Sequence, residues 1–143
     1  MKALSRVLVL LLITFLAFAA NAYTQHFTRT FIFDSQVPRS YLEMITCALI
    51  GALAAAIVAS APLAAAFRKQ AWLAAAAAAS PVLALRLTEF ITYTGAISAQ
   101  VKVMAIVEAS SYFGFLVLGA WCVSRIWPRP NSSFKPTPLR GAA

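Results

Sequence analysis

The stretch "GALAAAIVASAPLAAA" at residues 51–66 decides the fold class, because it contains no charged residue and almost nothing polar. It lies within an apolar run over about 41–67, which is long enough to cross a hydrocarbon core of ~30 Å as a helix. Small residues recur there every four positions, as at Gly51, Ala55 and Ala59. Because this spacing lets neighbouring helix backbones approach closely, the run predicts a transmembrane helix that packs tightly on its neighbours.

Three further apolar runs, over about 4–23, 70–94 and 99–125, predict three further spans. The chain has 143 residues, of which 62% are hydrophobic and 11% charged, and a soluble domain of this size needs a more polar surface. We therefore expect an all-α integral membrane protein, a four-helix bundle over residues 1–127. Gly95 is a candidate C-cap between the last two spans, which then form a tight antiparallel hairpin.

The first run also fits a signal peptide. Lys2 and Arg6 would form its basic region, the apolar region would span 7–20, and Ala20-Asn21-Ala22 matches an A-x-A cleavage site. An uncleaved first helix gives four spans, whereas cleavage leaves three. Both readings give the same orientation for the rest of the chain.

The net charge of +8 is distributed unevenly. Four acids and four basic residues cancel in the segments assigned to the far side of the membrane and to the spans. The surplus lies before the first span, between the second and third, and after the fourth: Lys2, Arg6, Arg68, Lys69, Arg125, Arg129, Lys135 and Arg140. This positive-inside bias predicts that both termini are cytoplasmic. It also favours the lipid bilayer, rather than nucleic acid, as the partner of this basic chain.

Residues 23–40 are expected to form the first outer loop. Aromatic residues alternate with polar ones over 27–34, which predicts either a short strand or an aromatic segment at the membrane interface; we favour the interface. His26 is the only histidine and has no cysteine near it, so no metal site is expected. Cys47 and Cys122 fall near opposite ends of their helices, which predicts two buried, apolar thiols and no disulfide.

Charged residues inside the last two spans need a physical reason, because a lone charge at the bilayer centre costs at least ~2.5–3.5 kcal/mol. In an antiparallel hairpin with its turn near residue 96, residues at equal depth have numbers whose sum is about 193. Arg86 with Glu108 and Glu89 with Lys102 fit this sum closely, so two opposite-charge pairs are predicted. Glu43, at the start of the second span, is a candidate third carboxylate.

These intramembrane charges have two interpretations. In the first, the pairs only fix the register of the hairpin; in the second, Glu108 binds a proton, cation or cationic substrate. Neighbouring hydroxyls either line a polar pocket or bond to nearby backbone: Thr88, Thr92, Tyr93, Ser110, Ser111 and Tyr112. The size resembles small four-helix drug exporters, but their membrane-embedded Glu lies in the first helix, and here no charge falls between Val7 and Tyr23.

No nucleophile elbow, phosphate-binding loop, haem-attachment motif or zinc-ligand spacing occurs in the chain. We therefore expect a non-enzymatic protein without cofactors, which works through helix packing, as a homo-oligomer or with a membrane protein partner. The alternative is a small transporter or proton-coupled exporter that uses an intramembrane Glu.

The C-terminal segment 128–143 is proline-rich and is expected to be a disordered cytoplasmic tail. Its ending, "KPTPLRGAA" at residues 135–143, resembles the tails of open reading frames that run into the recombination site of an integron gene cassette. Pro-Leu-Arg-Gly at 138–141 can be encoded by CCG CTT CGC GGC, which folds into a hairpin. The resemblance implies a bacterial host, and hence the inner membrane, and a mobile gene.

Overall fold

The computed structural model describes residues 3–34, 40–92 and 98–126, and this part of the chain is helical almost throughout. Helix α1 spans Ala3–Phe27 and continues into a π-helical turn, Thr28–Ile32. Helix α2 spans Tyr41–Phe67 and is followed by a short 3₁₀ turn, Arg68–Gln70. Helices α3 and α4 span Ala71–Thr92 and Ala99–Ile126. The predicted all-α class is confirmed, whereas the predicted Gly95 cap and the 128–143 tail lie outside the described residues.

Within the described residues, three helical stretches are long and apolar enough to cross a membrane, namely Leu4–Ile32, Tyr41–Thr92 and Val101–Ile126. The second of them has 52 residues and contains both α2 and α3. Large apolar side chains cover the exterior of the helices, and Phe15, Ile57 and Leu118 are each well exposed. An exterior of this kind is compatible with a membrane protein, because lipid solvates apolar side chains that water does not.

Helix α2 has distinct signals at both ends. At its start, Ser40 is the N-cap and its Oγ accepts a hydrogen bond from the backbone N–H of Glu43 at 3.2 Å. The spacing of Ser40 and Glu43 is that of a capping box. At its end, Arg68 has φ 48° and ψ −115°, a positive-φ conformation that residues other than glycine rarely adopt. This residue breaks the helix and separates α2 from α3.

The core is built on the small residues of α2, which packs mainly between α1 and α4, while α3 packs mainly against α4. A Cβ atom at Gly51 would lie 2.6 Å from both Asn21 Oδ1 and Gln25 Cγ of α1. On the opposite side, Gly119 of α4 sits directly against the hydroxyl of Ser60. The buried small residues of α2 therefore let two neighbouring helices approach its backbone, as their four-residue spacing predicts.

Two expectations about local structure are wrong. The first helical stretch does not end near residue 23; it continues to Ile32, so residues 23–32 form neither an outer loop nor a strand. The physical reason is that Asn21 and Gln25 lie on the same face of the helix and pack against Gly51, which holds the chain helical beyond the apolar run. Cys47 is buried, but Cys122 is exposed on the outside of α4; both thiols are free.

Candidate functional site

Arg86, Glu89 and Glu108 meet in one cluster near the end of the fold where α3 finishes and α4 begins. Arg86 Nη2 of α3 donates to Glu108 Oε2 of α4 at 2.5 Å, which is the cross-helix pair predicted from equal depth. Arg86 Nη1 donates to Glu89 Oε2, one turn further along α3, at 2.8 Å. One guanidinium therefore joins two carboxylates, and its planar, multiply donating head is suited to this role.

Helix α1 adds an uncharged donor to this cluster. The side-chain amide of Gln25 donates to Glu108 Oε1 at 3.1 Å and also lies 3.2 Å from Asn21 Oδ1 within hydrogen-bonding geometry. Each oxygen of the Glu108 carboxylate thus accepts a hydrogen bond from a different helix. The Glu108 side chain is 18% exposed, so these two bonds replace much of the solvation that it has lost.

A cavity of about 250 Å³, which we call the charged cavity, opens beside the cluster. Its polar lining comes from α1, the π-helical turn, α3 and α4: Gln25, Arg29, Arg86, Glu89, Lys102 and Glu108. Methionine and aromatic side chains complete the wall, including Met44, Phe90 and Met104. The arrangement of a few polar groups within an apolar wall is common in sites that bind small molecules.

Two further cations line this cavity. The Nε atom of Arg29 is buried and has no hydrogen-bond partner. The Nζ atom of Lys102 lies 5.8 Å from the centroid of the Phe90 ring, within the usual range for a cation–π contact. Arg29 belongs to the π-helical turn, and single π-helical turns occur frequently at functional sites.

The structure brings four of the five predicted charged residues together. Arg86, Glu89, Lys102 and Glu108 all line the charged cavity, and Arg86 pairs with Glu89. The second predicted pair, Glu89 with Lys102, stays a prediction. Glu43 does not line the cavity and instead occupies the first turn of α2.

Two of the neighbouring hydroxyls bond to the backbone of their own helices. Thr88 Oγ1 donates to the carbonyl of Ala84 at 2.8 Å, and Ser111 Oγ donates to the carbonyl of Glu108 at 3.1 Å. Tyr112 is fully buried and its hydroxyl has no hydrogen-bond partner. Tyr93 lies outside the described residues. For Thr88 and Ser111, the backbone-bonding alternative is therefore the one that the structure shows.

Gln25 and Arg29 line the cavity but were not predicted from the sequence, because both fell in the expected outer loop. A signal for them was present: Asn21, Gln25 and Arg29 follow one another at intervals of four, which puts all three on one face of a continuous helix. The loss of apolar character after residue 23 hid this pattern.

Among residues 3–34, 40–92 and 98–126, no three His, Cys, Asp or Glu side chains are grouped so that they could hold a metal ion. Comparisons of the chain with protein-family models, with curated proteins and with solved structures find no match.

Proposed function

We propose that this chain is a non-enzymatic, four-pass protein of the bacterial inner membrane, which acts through helix packing, alone or with a membrane partner. The observation that carries this proposal is the Arg86 cluster: it pairs both of the acids on α3 and α4 and, through Gln25, includes α1. A cluster of this kind fixes the depth and register of three helices, as buried polar groups do in some helical assemblies. The bacterial assignment is supported by the resemblance of the tail to integron cassette endings.

The orientation, with both termini cytoplasmic, is supported by the position of the surplus basic residues. Fusions of alkaline phosphatase and green fluorescent protein test it. Fusions after Lys69 and Arg129 should fluoresce, and fusions after Asp34 and Gly95 should show phosphatase activity. A phosphatase-active fusion after Arg129 would refute the four-pass topology.

We further propose that the first helix is retained in the mature protein. Ile13, Ala17 and Asn21 are all buried against the other helices, so cleavage after Ala22 would remove part of the core. Intact-protein mass spectrometry of the purified chain decides this point. A mass that lacks residues 1–22 would establish a signal peptide and leave three mature helices.

One observation favours a second candidate, a small transporter that uses Glu108: this carboxylate lines the charged cavity. Counterflow and ion-gradient-driven uptake in proteoliposomes separate the two functions. The packing function predicts no flux in any variant. The transporter predicts flux that is lost in Glu108→Gln and retained in Glu43→Gln, which removes a carboxylate outside the cavity and keeps a side chain suited to its capping box.

A further inference from the structure

We infer that the charged cavity binds a small molecule through an anionic oxygen group, a carboxylate or a phosphate, and that Arg29 is a principal contact. This goes beyond the proposed packing function and does not depend on how often the chain crosses the membrane. The first argument is charge. Three basic side chains, Arg29, Arg86 and Lys102, line the cavity, whereas only two acids, Glu89 and Glu108, do so.

The second argument is how the acids are engaged. Both of them are paired to the guanidinium of Arg86, at 2.8 and 2.5 Å, and Glu108 also accepts from Gln25. A cationic ligand would meet carboxylates whose charge Arg86 already compensates. An anionic ligand would leave both pairs intact, so the cavity favours negative charge.

The third argument is the state of Arg29. Its Nε is buried and lacks a hydrogen-bond partner, although a buried donor normally has one and leaving it unpaired is unfavourable. The guanidinium offers donors in a planar fork that matches carboxylate and phosphate oxygens. A turn of the Arg29 side chain would bring its guanidinium donors to a ligand oxygen in the cavity, and no rearrangement of the Arg86 cluster would be needed.

The size and wall of the cavity restrict the ligand further. A volume of about 250 Å³ is below the ~300–1,000 Å³ that is typical of pockets for drug-sized ligands. Phe90, Met44 and Met104 provide apolar contact beside the charges. The ligand class is therefore a small anion with an apolar portion, either a free organic anion or the headgroup region of an anionic lipid.

The experiment measures binding to the full chain, purified in an uncharged maltoside detergent, by calorimetry and native mass spectrometry. The free-anion probe is benzoate, and its matched cation is benzylammonium, which has the same ring and nearly the same size. The lipid probes are dihexanoyl phosphatidylglycerol, which is anionic, and dihexanoyl phosphatidylcholine, which has no net charge. We expect at least a tenfold preference in one of two comparisons: benzoate over benzylammonium, or the phosphatidylglycerol over the phosphatidylcholine. The comparison that shows the preference tells whether the ligand is a free organic anion or a lipid headgroup.

Variants connect this binding to Arg29. Arg29→Gln should weaken binding of the anion at least tenfold, and Arg29→Lys, which keeps the charge, should weaken it less. Arg125→Gln is the matched control, because that guanidinium lies over Trp121 near the other end of α4, 5.3 Å from the ring centroid; binding should stay within twofold of wild type. Equal weakening by Arg29→Gln and Arg125→Gln would overturn the assignment to Arg29. If Arg29→Gln does not fold, the comparison of anionic with cationic and uncharged probes on the wild-type protein tests the inference by itself. Tighter binding of benzylammonium than of benzoate, or no binding of either anion, would overturn it.

Discussion

Removing Arg86 and removing Glu108, the two residues that pair across α3 and α4, should lower the free energy of unfolding by different amounts. Arg86→Met keeps the aliphatic stem but leaves Glu89 and Glu108 without their shared cation. Glu108→Met leaves Arg86 still paired with Glu89 at 2.8 Å. Arg86→Met removes the cation that pairs with two carboxylates, whereas Glu108→Met leaves no carboxylate without its cation. Arg86→Met should therefore be the more destabilising.

The magnitudes follow from the burial of each group. Breaking a buried ion pair costs ~3–5 kcal/mol, and Glu108 is only 18% exposed, so about 3 kcal/mol is expected for Arg86→Met. The Arg86–Glu89 pair adds little, because its side chains are 34% and 48% exposed and such pairs are worth ~0–1 kcal/mol. For Glu108→Met, the loss of hydrogen bonds to a charged group suggests about 1.5 kcal/mol.

In the double variant, no buried charge is left unpaired between α3 and α4, and only the half-exposed Glu89 loses its partner. We therefore expect a total loss of about 2 kcal/mol, well below the sum of the two single losses. The assay is the free energy of unfolding from denaturant titration in mixed micelles, with Arg125→Met as a surface control expected within about 0.5 kcal/mol of wild type. Losses that add within about 0.5 kcal/mol would show that the two residues do not interact, and the depth-matching argument would be refuted.

Three further predictions concern other parts of the chain. Gly51→Ala should lower the melting temperature strongly, because its Cβ would lie 2.6 Å from two side chains of α1, whereas Gly114→Ala, whose Cβ meets nothing within 4 Å, should be neutral or stabilising. A melting temperature for Gly51→Ala at or above that of Gly114→Ala would contradict the close packing of α1 on α2. Arg68→Gly should stabilise by about 1 kcal/mol, because glycine adopts a positive φ without strain, and Lys69→Gly, which loses the same charge, should not; equal melting temperatures for the two variants would show that Arg68 is not strained. Stopping the chain after Asn131 should leave the membrane-inserted amount unchanged, and a sharp fall in a quantitative blot would show that the tail has a structural role.

The sequence alone determined the all-α class and the pairing of Arg86 with Glu108. Transfer into an apolar phase depends on composition summed over about 20 residues, so apolar runs such as 51–66 can be recognised without knowing their neighbours. The position of a residue along its helix can also be calculated from its number, because a helix rises 1.5 Å per residue regardless of its surroundings. For this reason the contact between Arg86 and Glu108 could be predicted from their numbers.

Only the tertiary structure decided which side chains share the charged cavity. It carries α1 past the apolar run, so that Gln25 and Arg29 reach the cavity, and it leaves Glu43 outside. It also makes Arg86 the shared partner of both acids. These facts depend on how each helix is rotated about its axis and on which helices are neighbours, and both are set by close packing of small residues such as Gly51 between helices.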